Sequence, residues 1–276
     1  MNRSQRMSTV AVLIIVVIPA FWLVTPASYA QDQRPWNKKQ CAVCLTYDDA
    51  LNVDLDRVAP ALDSLGLMGT FYVSGFFPSF KLRSTEWRAV AGKGHELGNH
   101  TLFHPCTGSL PGREWVKPDY DLNNYSIQRM VDEITMANVL LKAIDGKTKR
   151  TFAYPCGDSK VGDSSYVPNI KTDFVAARGV QGKMERLDAI DLYDIGSYMV
   201  NGQTGDELIA LVKKAMEAHT LIVFLFHGVG GEHSLNVSAE AHSQLLHYLK
   251  ENEASVWVAP LVEIAEYVLD HSQRKH

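Results

Sequence analysis

Between residues 41 and 269, short β-prone apolar runs alternate with segments of helical period, and this alternation restricts the fold more than any other feature of the chain. Residues 41–47, 69–73, 95–99, 151–154, 174–177, 221–226 and 256–258 read as strands, and 190–200 as mixed but strand-like. Residues 54–65 (closed by Gly66), 86–91, 125–144, 206–218 (capped by Thr204 or Gly205), 239–252 and 261–269 read as helices. The polar stretch 113–124 carries Pro118 and reads as a loop. Residues 221–226 have no polar interruption, the pattern of a strand covered on both faces. Strand–helix alternation implies an α/β fold with a parallel sheet. There is no repeat, low-complexity stretch or linker, so one domain is expected. In parallel α/β barrels chemistry gathers where strands end and loops begin, which is where candidate residues are sought.

Residues 1–30 stand apart. Arg3 and Arg6 precede an apolar run over 10–24, and the segment ends in Ser28-Tyr29-Ala30. A basic start, an apolar middle and small residues at the end make a secretory signal peptide with cleavage after Ala30, and hence a secreted or periplasmic protein. The apolar run is short for a bilayer span, so no stable membrane insertion is expected after cleavage. The reading then gives an N-terminal extension at 31–38, a folded domain at 39–270 and a tail at 271–276. The full chain has a net charge of −4, and losing the two arginines of the leader makes the remainder −6. Such a charge lacks the basic footprint of a nucleic-acid binder. Cys41 and Cys44 fall in one strand, where residues three apart point to opposite faces, so they read as buried apolar residues, not as half a metal site.

Four strand ends carry groups capable of chemistry. The first ends in Asp48-Asp49, where one carboxylate could bind a metal while the other acts as a base. The third is followed by His100 and His104, four apart, which reach one metal if the intervening chain makes a helical turn. A His–His–Asp set with open positions suits zinc or a similar divalent ion. The fourth leads into Pro155-Cys156-Gly157, a turn able to hold a backbone N–H outward for an oxyanion. The apolar strand 221–226 leads into His227, a general acid near neutral pH or a structural residue. Should the second and third of these segments converge, Cys106 and Cys156 are placed for a disulfide.

The pattern resembles the polysaccharide deacetylases of carbohydrate esterase family 4, the NodB-type domain, over nearly all of 39–270. Thr46-Tyr47-Asp48-Asp49-Ala50 matches the family's first motif, His100 to Pro105 its His-Thr-x-x-His-Pro motif, and Leu225-Phe226-His227 its last. The resemblance implies a distorted, incomplete (β/α) barrel, one divalent metal, zinc by preference, and an acetylated carbohydrate as substrate. It implies Asp48 as general base, Asp49, His100 and His104 as metal ligands, and His227 as the acid that protonates the leaving group, protonated at rest. The oxyanion would be stabilised by the metal and a backbone N–H near Cys156.

The sequence departs from the family at three places. Ala50 stands where the first motif has Gly. Ala153 stands where the third motif has the Arg that orients the catalytic Asp, and Cys156 where it has an aromatic. Arg178, after the fifth strand, could supply the guanidinium instead, and Asp191 or Asp194 could hold His227. The implied activity is N-deacetylation of acetylated amino sugars such as those of chitin or peptidoglycan. The alternatives are O-deacetylation of acetyl xylan and a carbohydrate-binding protein without activity. Trp115 and Tyr120 are candidates to stack on sugars, and Trp87 reads better as a packing residue.

Overall fold

The computed structural model describes residues 35–273, so the leader and the last three residues lie outside the described residues. A nine-stranded sheet forms the frame: β1 (Cys41–Asp48), β2 (Thr70–Val73), β3 (Glu96–Asn99), β4 (Phe152–Ala153), β5 (Ala177–Arg178), β6 (Glu185–Arg186), β7 (Tyr198–Met199), β8 (Thr220–Phe226) and β9 (Val256–Val258). The strands run in the order β5-β4-β3-β2-β1-β8-β6, with β9 also on β1 and β7 on β8. Every pairing is parallel except the short one between β8 and β6. The sheet curls into an incomplete barrel with helices packed against it, within a single domain.

β1 and β8 lie at the centre and pair over six residues, from Ala42 with Leu221 to Tyr47 with Phe226. All eight residues of β1 and all seven of β8 are buried, as strands covered on both faces must be. The side-chain alternation of β1 divides the core. Cys41, Val43, Leu45 and Tyr47 join one apolar cluster, whereas Ala42 and Cys44 join another. The two free cysteines therefore sit in different layers, each acting as a small apolar residue.

The helices are α1 (Ala59–Leu65), continuing a π turn over Asp54–Val58, then α2 (Pro78–Leu82), α3 (Ser84–Gly92), α4 (Ile127–Asp145), α5 (Gly205–Ala218), α6 (Ala239–Glu251) and α7 (Leu261–Gln273). Local chemistry sets their ends. Ser126 accepts the Arg129 N–H before α4, and Gly146 closes that helix at φ 73°. Thr204 and Glu207 form a reciprocal capping box at α5. None of the described helices is long and apolar enough to cross a membrane.

The strand-like stretch 190–200 keeps only two residues of strand, in β7. Its first half is taken by turns: the Tyr193 N–H donates to the Asp191 carboxylate at 2.9 Å, a local side-chain bond that competes with extended pairing. The fifth strand sits later than its apolar run suggests, at Ala177–Arg178, so an arginine ends it.

Candidate active site

The C-terminal ends of the parallel strands converge. β1 ends at Asp48, and Asp49 and Ala50 then take left-handed conformations at φ 79° and 53°. Each such residue costs roughly 1–2 kcal/mol without glycine, which accounts for the usefulness of Gly at position 50. The reversal lets neighbouring carboxylates, which a strand would send to opposite faces, approach one imidazole. His100 Nε2 lies 3.8 Å from Asp48 Oδ2 and 3.7 Å from Asp49 Oδ1.

His100 and His104 meet without a helical turn. Residues 100–105 are a loop in which Thr101 (φ 66°) and His104 (φ 55°) are left-handed. The Thr101 hydroxyl accepts the His104 N–H at 2.9 Å, and Asn99 Oδ1 accepts the Thr101 N–H at 2.8 Å. Short polar side chains thus replace the helical bonds expected from the spacing, and the two rings come to 4.8 Å.

The donor set fits a cation. The Ala153 carbonyl lies 2.8 Å from His100 Nδ1 and can only accept, so Nδ1 carries the hydrogen and Nε2 presents its lone pair. Burial drives the His100 pKa down to about 4, so the ring is neutral. Asp49 Oδ1 lies 3.7 Å from that nitrogen and 3.4 Å from His104 Nε2, and is buried with no hydrogen-bond partner. Acceptors facing acceptors in a buried hollow require a positive charge among them, and Asp49, His100 and His104 together can hold one ion. His104 also lies near the sulfurs of Cys106 and Cys156. Those sulfurs are joined to each other in a disulfide and offer no thiolate.

Asp48 has a different partner. Arg178, fully buried at the end of β5, donates from Nη2 to both Asp48 oxygens, at 2.6 and 2.5 Å. Burial alone would raise the Asp48 pKa, but Arg178, followed by His100 and His227, outweighs it and holds the carboxyl below its usual range. Asp48 is therefore an ionised carboxylate in a buried place.

His227 follows β8, with Nε2 3.9 Å from Asp49 Oδ2. Burial lowers its pKa against the pull of Asp48 and Asp49, so its protonated ring gives up a proton more readily than a free imidazolium. Its Nδ1 has no partner among the described residues. Neither suggested acid holds it: Asp191 bonds the Tyr193 N–H, and Asp194 pairs with Lys183 at 3.3 Å.

Cys156, at φ 56°, lies in the turn after β4 and is tied to Cys106 across 50 residues. Arg113 reinforces that staple, donating to Asp158 Oδ2 at 2.5 Å and to the Cys156 carbonyl at 3.0 Å. Trp115, 59% exposed on the same loop, has its ring 6.4 Å from that of His104. Tyr120 packs with Phe76 and Phe103, and Trp87 is wholly buried. Sequence reasoning did not single out Arg113, Asp158 or His233. The His233 ring stacks on His227 at 4.6 Å, and its Nε2 is 3.9 Å from Asp49 Oδ2. The one available signal for His233 was its place on the loop that His227 opens.

Residues 37–166 match the family model described as polysaccharide deacetylase. A protein from Mycobacterium smegmatis assigned as a polysaccharide deacetylase shares the fold at a TM-score of 0.61, with 15% identity over 85% of this chain and 92% of that one. A mutant of a family 4 pseudoenzyme with restored activity, from Bacillus anthracis, aligns at 0.52, with 20% identity over 82% and 68% of the two chains. A family 4 acetyl xylan esterase from Clostridium thermocellum, solved with cobalt, aligns at 0.51, with 18% identity over 81% and 89%. A gellan lyase from a Bacillus species is 24% identical over 255 residues, which make up 83% of this chain but 9% of that protein, so the chain spans about a tenth of its length. Residues 37–166, the segment that supplies Asp48, Asp49, His100 and His104, thus match the polysaccharide deacetylase family model, and the chain shares the fold of these solved structures.

Proposed function

We propose that this protein is a metal-dependent hydrolase that removes N-acetyl groups from amino sugars in a carbohydrate polymer or oligomer. The observation that carries the reading is the acceptor cluster of Asp49, His100 and His104 beside an Asp48 carboxylate clamped by Arg178. Asp49, His100 and His104 would hold one divalent cation, with zinc favoured by the nitrogen donors. Such an ion supplies the charge that acidifies a water and polarises the acetyl carbonyl. Asp48 takes the proton of the attacking water, and its bond to Arg178 keeps it ionised and oriented for that task. His227, as the imidazolium, hands a proton to the departing nitrogen and is re-protonated, by way of solvent, with the proton that Asp48 took from the water; its lowered pKa makes the imidazolium a stronger donor. The turn at Cys156, fixed by the disulfide, is proposed to offer a backbone N–H to the developing oxyanion.

Residues 1–30 are proposed as a secretory signal, 31–38 as an extension, 39–270 as the catalytic domain and 271–276 as a tail. A disulfide between Cys106 and Cys156 supports an oxidising, extracytoplasmic setting.

The test is acetate release by the mature protein from acetylated chitin oligomers, peptidoglycan and acetyl xylan, with chelation and zinc add-back. Zinc-restored acetate with equimolar free amine, abolished by Asp48→Asn, is the expected result. Acetate without amine would replace N-deacetylation by O-deacetylation. No release from any substrate by metal-loaded protein would point to a binding protein.

A further inference from the structure

His227 presents an unusual problem for a residue asked to deliver a proton. Its ring is nearly enclosed, its Nδ1 has no hydrogen-bond partner among the described residues, and Asp49 Oδ2 is 3.9 Å from its Nε2, too far for a hydrogen bond. No acceptor therefore fixes the plane of the imidazole. What lies against it is a second imidazole: His233, stacked at 4.6 Å with 13° between the planes.

His233 is itself held. The Leu235 N–H donates to its Nδ1 at 3.0 Å, which fixes the ring to the loop. The loop is held in turn on the segment following β1. Glu232, in a left-handed conformation at φ 71°, accepts the Asn52 and Val53 N–H groups at 3.0 and 2.7 Å and the Asn52 side-chain amide at 2.7 Å. Arg57 donates to the Gly230 carbonyl at 2.9 Å. On the other side, the loop closes on itself where Gly228 and Gly230 donate to Leu235 and Val237 at 3.0 and 2.7 Å. A non-glycine residue in a left-handed conformation at Glu232 is a local cost, kept because both its oxygens are engaged.

We infer that His233 is a positioning residue, whose ring, stacked on His227, sets the imidazole plane that no hydrogen bond at Nδ1 sets. The clamped 228–235 loop thereby does for His227 what the guanidinium of Arg178 does for Asp48. This rests on the proposed role of His227 as proton donor. The interaction used is face-to-face contact of two planar rings, so a flat apolar ring at 233 suffices for it.

The experiment compares His233→Ala and His233→Phe in the full mature chain. Two readouts are taken: kcat and KM for acetate release, and the side-chain ¹³C relaxation of the His227 ring in the resting protein. His233→Ala is expected to lower kcat about tenfold or more, as misplacement of a reacting group does. KM should stay within about twofold, and the His227 ring should become mobile. His233→Phe is expected to restore most of kcat and the rigidity of the ring. Should the alanine variant fail to melt cooperatively, His233→Leu, which fills the space without a plane, takes its place. An alanine variant equal to wild type overturns the inference. So does a phenylalanine variant as impaired as alanine, which would mean that His233 bonds to substrate directly. If wild type releases no acetate, the functional reading fails, and the ring relaxation, which needs no turnover, still decides whether His233 positions His227.

Discussion

Ala153 and Arg178 are register partners on the adjacent parallel strands β4 and β5, and the guanidinium that reaches Asp48 comes from the second of them. In the motif that this chain resembles, the arginine belongs at the position of Ala153. Here it stands one strand further along the curl, at the same level of the sheet. A parallel sheet allows such an exchange because neighbouring strands present their C-terminal ends to the same hollow. Ala153 is fully buried and small, and the arginine passes 5.0 Å from the ring of Tyr72 on β2 to reach its carboxylate.

Arg178→Ala should abolish deacetylation and destabilise the fold together. Removing one partner of a buried ion pair costs roughly 3–5 kcal/mol, because the remaining charge is left without compensation. The double variant Ala153→Arg/Arg178→Ala returns the guanidinium to the neighbouring strand and should recover a measurable part of both activity and urea midpoint. A double variant no better than Arg178→Ala would show that the two positions are not interchangeable.

Metal binding should be visible without turnover. Addition of zinc to chelator-stripped protein at about a hundred times its Kd should stabilise it by about 2.7 kcal/mol. Asp49→Asn should eliminate the shift in thermal midpoint. The metal-free variant should also be at least as stable as metal-free wild type, since an amide can donate to a histidine nitrogen where Asp49 Oδ1 has no partner. A metal-free Asp49→Asn protein that melts well below wild type would argue that the cluster is a structural feature and not an ion site.

The sheet was legible in the chain because its central strands are apolar on both faces, and 221–226 announces β8 almost to the residue. β5 and β7 were less legible: each has only two paired residues, too few for a period to show. Asp48, Asp49, His100, His104 and His227 could be singled out because they lie at or soon after the ends of strands that the sequence predicts, and the structure gathers all five. How they are gathered could not be read. The convergence of His100 and His104 depends on left-handed Thr101 and His104, and a β-branched side chain such as that of Thr101 disfavours this conformation, so composition does not signal it. Asp191 and Asp194 looked suitable for His227 by order along the chain, but their carboxylates are spent locally on Tyr193 and Lys183. His233 and Glu232 lie on an irregular loop, where no periodicity exists to be read.

The Cys106–Cys156 disulfide closes a loop of 50 residues that includes Trp115 and the aromatic surface beside His104. Chain-entropy arguments put its contribution at about 4 kcal/mol for a loop of that length. Reduction, or Cys106→Ser with Cys156→Ser, should lower the urea midpoint correspondingly. It should also raise KM for long substrates more than for short ones, because the Trp115 loop loses its anchor while Asp49 and His100, proposed as metal ligands, keep theirs. An unchanged midpoint under reducing conditions would show that Arg113 and Asp158 hold the loop without help.

Acid sensitivity should trace in part to His242 on α6. Its ring is buried beneath the site, edge-on to Tyr47 and Phe226, with Nε2 2.8 Å from the Tyr47 hydroxyl. Burial pushes its pKa down from 6.5 to about 4, so the folded protein resists the proton that the unfolded chain accepts. Below pH 6.5 the unfolded state binds more protons than the folded state, and stability falls as pH falls until the folded ring titrates near pH 4. At 1.36 kcal/mol per unit the full window costs about 3 kcal/mol. His242→Asn keeps an acceptor for the Tyr47 hydroxyl and removes the titration, so the loss of urea stability between pH 7.5 and 5 should shrink by roughly 2 kcal/mol relative to wild type. His100 behaves alike in both metal-free proteins and cancels from the comparison. Equal slopes for the two proteins across that range would mean that His242 titrates in the fold as it does in the unfolded chain, and that its burial does not hinder protonation.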